Sequence, residues 1–182
     1  MTEALRTYAA CFVCGESNPA GLRAQFSLGE APDEMRGHFT PDDRYQGYPG
    51  RVHGGIVASV LDETLGRAVA LHGAWSFTAR LEVRYRRPIP VGAALEVRAR
   101  QVRDRGRFVE ARGEARLPSG EVVAEATGLF LKLAPDEADA LREAIWPEGS
   151  GASGQRPEAG AYTPGVSLLP PGHPAPTPAE RP

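Results

Sequence analysis

Between Gly54 and Leu71 the chain reads Gly-Gly-Ile-Val-Ala-Ser-Val-Leu-Asp-Glu-Thr-Leu-Gly-Arg-Ala-Val-Ala-Leu, with apolar or small residues on nearly every side of a helical wheel. This pattern predicts a single helix of about 18 residues, roughly 27 Å long. A helix that is apolar all round has to be buried. No stretch of the chain reaches the roughly 20 apolar residues of a membrane span, so the covering is expected to be protein.

The covering is legible on either side. From about residue 22 to 133 the remaining sequence reads as strand. Leu22 to Leu28 and Met35 to Phe39 form an expected opening pair around Gly29-Glu-Ala-Pro-Asp. Thr78 to Arg86 alternates, with Ala79, Leu81, Val83 and Tyr85 on one side and Thr78, Arg80, Glu82, Arg84 and Arg86 on the other. Such alternation marks a half-buried antiparallel strand. Leu95 to Val102, Val109 to Leu117 and Val122 to Leu133 continue the pattern, with turns at Gly106 and Pro118-Ser-Gly. Asp136 to Ile145 predicts a short helix, opened after Pro135 with acidic residues in its first turn. One buried helix among five or six antiparallel strands is an α+β arrangement, a sheet wrapped around a long central helix: the hotdog fold.

The expected organisation is an N-terminal segment over 1–21, a main domain over 22–133, a short helix within 134–146 and a tail over 147–182. The tail is Pro/Gly-rich, with too few apolar anchors to offset the entropy of ordering, and is expected to be a disordered, passive extension. A net charge of −2 argues against a general nucleic-acid binder. The opening Met-Thr-Glu-Ala-Leu-Arg lacks the basic start and apolar run of a secretory signal, and two cysteines cannot staple a chain this long. A cytoplasmic protein is expected, without membrane or nucleic-acid partners. Cys11 and Cys14 form a CxxC, yet zinc usually takes four ligands and no second pair exists. No thioredoxin-like pattern surrounds the pair either. It is read as packing of an N-terminal knuckle, and no metal is expected.

Two carboxylates, Asp62 and Glu63, interrupt the apolar helix, and such groups are costly there unless compensated. Glu63 has Arg67 four residues on and is expected to form a surface ion pair. Asp62 has Ala58, Ser59, Leu65 and Gly66 at the adjacent positions and no local cation. It is read either as a partly exposed or Ser59-bonded carboxylate, or as the uncompensated acid of a catalytic site. The helix opens on His53-Gly54-Gly55, where exposed N–H groups and the positive end of the dipole can polarise a carbonyl. His53 and Asp62 are nine residues apart, about 13.5 Å of rise, and point to opposite sides. If both ends act together, Asp62 of one subunit has to face Gly54 of another.

The run Gln46-Gly-Tyr-Pro-Gly-Arg-Val-His53-Gly-Gly-Ile-Val-Ala-Ser-Val-Leu-Asp62 resembles the PaaI-like, phenylacetyl-CoA thioesterase branch of the hotdog superfamily. Thr78-Ala-Arg-Leu-Glu-Val-Arg-Tyr-Arg-Arg-Pro88 and Cys11-Phe-Val-Cys-Gly with Asn18-Pro19 and Gly21-Leu22 extend the likeness over about residues 11 to 133. The resemblance implies hydrolysis of acyl-CoA, with Asp62 as base or nucleophile and the Gly54 amide binding the thioester carbonyl. His53 and Gly55 belong to the same motif, His53 serving to fix the loop or to move protons. Thr78 occupies the place of a hydroxyl that orients water. The family's usual Asn six positions before the histidine is Gly47 here, and Gln46 is the candidate replacement. No metal or redox cofactor is implied. A homodimer at minimum is implied, with a homotetramer expected because tetramers are common in that branch.

Arg80, Arg84 and Arg86, with Arg87, crowd one strand. They are read as partners for coenzyme A phosphates or as a solvated or subunit-facing surface. Two rival functions stay open: a non-catalytic acyl-CoA binding module, kept alive by Gly47, and a hotdog dehydratase or hydratase. The second needs a histidine and an acid placed together, and the spacing of His53 and Asp62 disfavours it.

Overall fold

Ten elements follow one another in the computed structural model, which describes residues 7–145. They are β1 (Gln25–Leu28), β2 (Glu34–Phe39), β3 (Gln46–Tyr48), β4 (Arg51–Val52), α1 (Gly54–Ala70), β5 (Ser76–Tyr85), β6 (Leu95–Arg105), β7 (Phe108–Arg116), β8 (Val122–Lys132) and α2 (Pro135–Ile145). The expected tail over 147–182, Trp146 and the first six residues lie outside the described residues.

Six strands make one antiparallel sheet in the order β1-β2-β6-β7-β8-β5. The tight turn between β6 and β7 needs a left-handed residue, and Gly106 supplies it at φ 74°. The helix α1 lies against this sheet through Val57, Val60, Leu61, Thr64, Leu65, Ala68 and Val69, all buried. Met35, Val97, Val109, Ala111, Val123 and Phe130 supply the sheet's half of the core. Thr64 is buried without penalty because its hydroxyl donates to the Val60 carbonyl at 2.7 Å. The sheet wrapped on a central helix is the hotdog arrangement, as expected.

Four local departures from the sequence reading have physical causes. First, α1 is not covered all round: Ile56, Ala58, Ser59, Asp62, Glu63, Gly66 and Arg67 are only partly buried. Second, Leu22 to Ala24 do not join β1. Arg23 turns into the left-handed region at φ 58°, and the Leu22 and Ala24 amides donate to the Phe12 and Val13 carbonyls at 2.8 and 2.9 Å. The N-terminal segment is thereby pinned to the core, with Val13, Cys14 and Leu22 buried.

Third, β3 and β4 form a separate small ribbon just before α1 that hydrophobic alternation could not reveal, since their residues are mostly exposed. Fourth, β5 carries a bulge. Thr78 pairs with Phe130 and Arg80 with Leu129, so Ala79 has no partner. The strict alternation expected for this strand therefore changes phase at Ala79. Thr78 joins Leu81, Val83 and Tyr85 on the helix side instead of Arg80 on the outer side.

Leu61 is fully buried at the contact of α1 with the sheet. Leu61→Ala is expected to lower the unfolding free energy by about 2–5 kcal/mol through lost burial and the cavity left behind. Urea denaturation with an unchanged m-value checks it.

Candidate active site

The start of α1 is built by capping. His53 is the N-cap residue, with extended backbone at φ −65° and ψ 135°, and its Nδ1 accepts the Gly55 N–H at 2.9 Å. An accepting Nδ1 places the proton of neutral His53 on Nε2. The His53 carbonyl accepts the Ile56 and Val57 amides, and the His53 amide donates to the Tyr45 carbonyl at 2.8 Å. Gly55 is thus occupied by the cap. The Gly54 N–H meets no acceptor among the described residues and remains the open donor at the positive end of the helix.

Tyr85 covers that tip from β5. Its hydroxyl donates to the Gly54 carbonyl at 2.7 Å, and a Cβ placed on Gly54 would stand 3.3 Å from its ring. Burial pushes the Tyr85 phenol up, which keeps it a neutral donor. Sequence reading passed over Tyr85, although its place in register with Leu81 and Val83 was the available signal.

Gln46 and Gly47 complete the approach to the helix. The Gln46 Oε1 accepts the Gly50 amide at 3.2 Å, so this side chain closes its own turn. A Cβ on Gly47 would lie 2.9 Å from His53 Cδ2. With His53 capping the helix, a side chain at position 47 requires the imidazole to shift.

Asp62 lies eight residues further along α1, about 12 Å from Gly54 along the axis. Its Oδ1 accepts the Thr78 hydroxyl at 2.9 Å, a contact that exists because the Ala79 bulge turns Thr78 inward. Burial pushes the Asp62 carboxyl above the usual carboxylate range, the Thr78 hydrogen bond works against it, and the nearby Glu63 charge adds to it. Ser59 is not its partner: the Ser59 hydroxyl donates to the Gly55 carbonyl at 2.9 Å. One strand therefore touches both chemical groups of α1, Thr78 at Asp62 and Tyr85 at Gly54. Within one chain these two groups stay apart.

Glu63 is not the surface pair that was expected. It binds Arg67 at 2.9 Å with the two side chains only 25% and 15% exposed, and the Arg67 guanidinium lies 4.3 Å from the centre of the Phe26 ring. The arginines of β5 lie elsewhere. Arg80 and Arg84 alternate with the inward residues and are exposed, Arg80 pairing with Glu82 at 3.5 Å. Arg86 pairs with Glu125 and Arg87 with Glu121. A groove of about 560 Å³ between Arg98, Arg100, Arg112, Glu114 and Glu125 lies on the sheet, away from Asp62.

A sequence profile of the thioesterase superfamily matches residues 49–124, which contain α1, β5 and both chemical groups. The chain is 32% identical over 101 residues to the acyl-coenzyme A thioesterase THEM5 of Mus musculus, covering 54% of this chain and 40% of that protein. It is 32% identical over 121 residues to THEM4 of Bos taurus, covering 65% and 50%. The chain thus spans about half the length of these curated relatives or less. Among solved structures, the thioesterase superfamily protein RHA08564 superimposes with a TM-score of 0.63 at 34% identity, over 66% of this chain and 62% of that one. A point variant of the phenylacetic acid degradation protein PaaI from Thermus thermophilus gives 0.56 at 27% identity, over 62% and 95%. Sheet order, helix placement and the matched sequence agree: residues 49–124 match the thioesterase superfamily, and the chain has the hotdog fold of its PaaI neighbour.

Proposed function

We propose that this protein hydrolyses acyl-CoA thioesters to a free acid and coenzyme A. The observation that carries the reading is Asp62, a half-buried carboxylate with no paired cation among the described residues, held by Thr78 at 2.9 Å and pushed up by burial. A carboxylate of raised pKa that is still ionised near neutrality is a competent general base. In this reading Asp62 takes a proton from water as the water oxygen adds to the thioester carbonyl. The Gly54 amide at the helix tip stabilises the oxyanion, and collapse breaks the C–S bond, releasing the coenzyme A thiolate. Direct attack by Asp62, with an anhydride hydrolysed afterwards, uses the same groups. Thr78 is a positioning residue that fixes the carboxylate. His53 is a positioning residue for the amide, and Gly55 serves its cap. Gln46 shapes the turn beside the tip. Arg80 and Arg84 point away from α1 and Arg86 is paired with Glu125 on the same outer side of the sheet, so a coenzyme A phosphate would meet these arginines only from that side.

The carboxylate and the amide that act together belong to different subunits of a homodimer. β5 is ten residues long and ends the sheet, so one row of its backbone groups is unpaired, a ready template for a second copy. Antiparallel pairing of two copies about Glu82 sets Leu81 of one opposite Val83 of the other and, past the extra residue at Ala79, Thr78 opposite Tyr85. That brings Asp62 of one subunit toward Gly54 of its partner. A homotetramer would use a second surface, for which the exposed outer face of the sheet is available. No described helix is long and apolar enough to cross a membrane. Both cysteines are free thiols, which suits the reducing cytoplasm.

Asp62→Asn is expected to lower acyl-CoA turnover, followed by thiol release, by about a hundred- to ten-thousandfold while ligand still binds. Unchanged turnover removes Asp62 from the mechanism. Binding without turnover in the wild type across a panel of acyl-CoAs leaves a binding module instead. In the wild type, the acid limb of kcat/KM is expected above the ordinary carboxylate range, and Thr78→Val is expected to move it higher still. Folded Asp62 holds its proton to higher pH than unfolded Asp62, so stability falls as pH rises through that window. Asp62→Asn should therefore unfold at higher urea than the wild type at neutral pH.

Shared sites predict complementation. Gly54→Pro removes the tip amide at a helical position where proline is tolerated. Each of Gly54→Pro and Asp62→Asn is expected to be inactive alone. Mixed dimers formed by co-expression should regain about a quarter of wild-type activity, because half the dimers carry one intact site of two. No recovery in verified mixed dimers would place both groups in one chain's site.

A further inference from the structure

We propose that Cys11 and Cys14 are a dithiol–disulfide couple, a site of reversible oxidation by small disulfides, seated on the Glu63–Arg67 pair of α1. The geometry is that of a knuckle folded around one sulfur. Cys11 Sγ accepts the Val13 amide at 3.3 Å and the Cys14 amide at 3.5 Å. Both sulfurs and a Glu63 carboxylate oxygen lie within 4.8 Å of one another. Arg67 Nη2 donates to Cys14 Sγ at 3.2 Å, and Arg67 Nε to Glu63 at 2.9 Å. Cys11 is partly exposed and Cys14 is buried. A reagent can therefore reach the first sulfur, while the second stays protected behind it.

The charges support this division of labour. The Cys14 thiol hydrogen-bonds to Cys11 and, with the backbone amides, holds the Cys11 thiol down to about 6 against burial and the Glu63 charge. The same hydrogen bond and burial push Cys14 up. One sulfur is thus a thiolate near neutrality and its neighbour a thiol, the arrangement that reacts with disulfides and then resolves. A resident cation is disfavoured because the guanidinium of Arg67 already fills that role between Cys14 and Glu63. Among the described residues three metal-binding groups converge in the cluster, where closed zinc sites take four.

The chemistry balances with a small disulfide as oxidant. The Cys11 thiolate attacks one sulfur of R–S–S–R, forming a mixed disulfide and expelling one thiolate. The Cys14 thiol then gives up its proton to that thiolate and attacks Cys11 Sγ, forming the Cys11–Cys14 bond and expelling the second small thiolate, which takes its proton from water. The dithiol loses two electrons, and the small disulfide becomes two thiols. Closure brings the two sulfurs, which lie within 4.8 Å of one another, to the bonding distance of about 2.05 Å.

The test uses the reduced full-length chain and oxidised glutathione, read by intact mass and maleimide labelling. It is independent of any esterase activity. The expected product is lighter by two hydrogens, blocked to maleimide at both cysteines, and restored by dithiothreitol. Cys14→Ser is expected to stop at a stable glutathione adduct on Cys11, and Cys11→Ser to resist modification. The wild-type measurement stands even if either variant fails to fold. A persistent mixed disulfide in the wild type, two unreacted thiols, or stoichiometric zinc in the chain as purified would each overturn the proposal.

Discussion

A helix of 17 residues has to be kept from water, and a sheet can cover only the side it touches. That constraint organises the molecule. The inner face of α1 is buried on the sheet through Val60, Leu61, Leu65 and Val69. Its flanks are covered by individual side chains. Thr78 and Tyr85 reach over one flank from β5, and the N-terminal knuckle with Phe26 covers the other at Arg67. Every group on α1 with chemical potential lies on such a flank, where a carboxylate is desolvated without being sealed. Burial deep enough to shift Asp62 and shallow enough to leave it reachable is a property of partial cover.

The larger features were legible because they rest on periodicity and on residue types that only one environment tolerates. An apolar run of helical length and a series of alternating runs define helix and strands, and Asp62 stands out because its helical neighbours offer no charge. What stayed hidden depends on where the chain goes, not on what it contains. The exposed ribbon of Gln46–Tyr48 and Arg51–Val52 has no hydrophobic period. Leu22 reads as strand until Arg23 turns left-handed. Glu63 and Arg67 read as a surface pair because nothing in the sequence says that residues 11 to 14 will fold over them.

The bulge at Ala79 shows the same limit most sharply. Alternation alone sends Thr78 outward with Arg80, and one unpaired residue reverses that. The family likeness named Thr78 on position, while the strand pattern gave it the wrong face. A bulge leaves no compositional trace when the extra residue is as small as alanine, so the phase change had to come from the pairing with β8.

The close packing of Gly47 beneath His53 carries an evolutionary consequence. A side chain at position 47 would come within 2.9 Å of the imidazole, while the imidazole in turn caps the helix. The two positions are therefore epistatic. An amide at 47 requires the imidazole to shift slightly while it keeps its hold on the Gly55 N–H. A substitution at 47 is felt first at the ring six residues away, through the aim of the Gly55 cap.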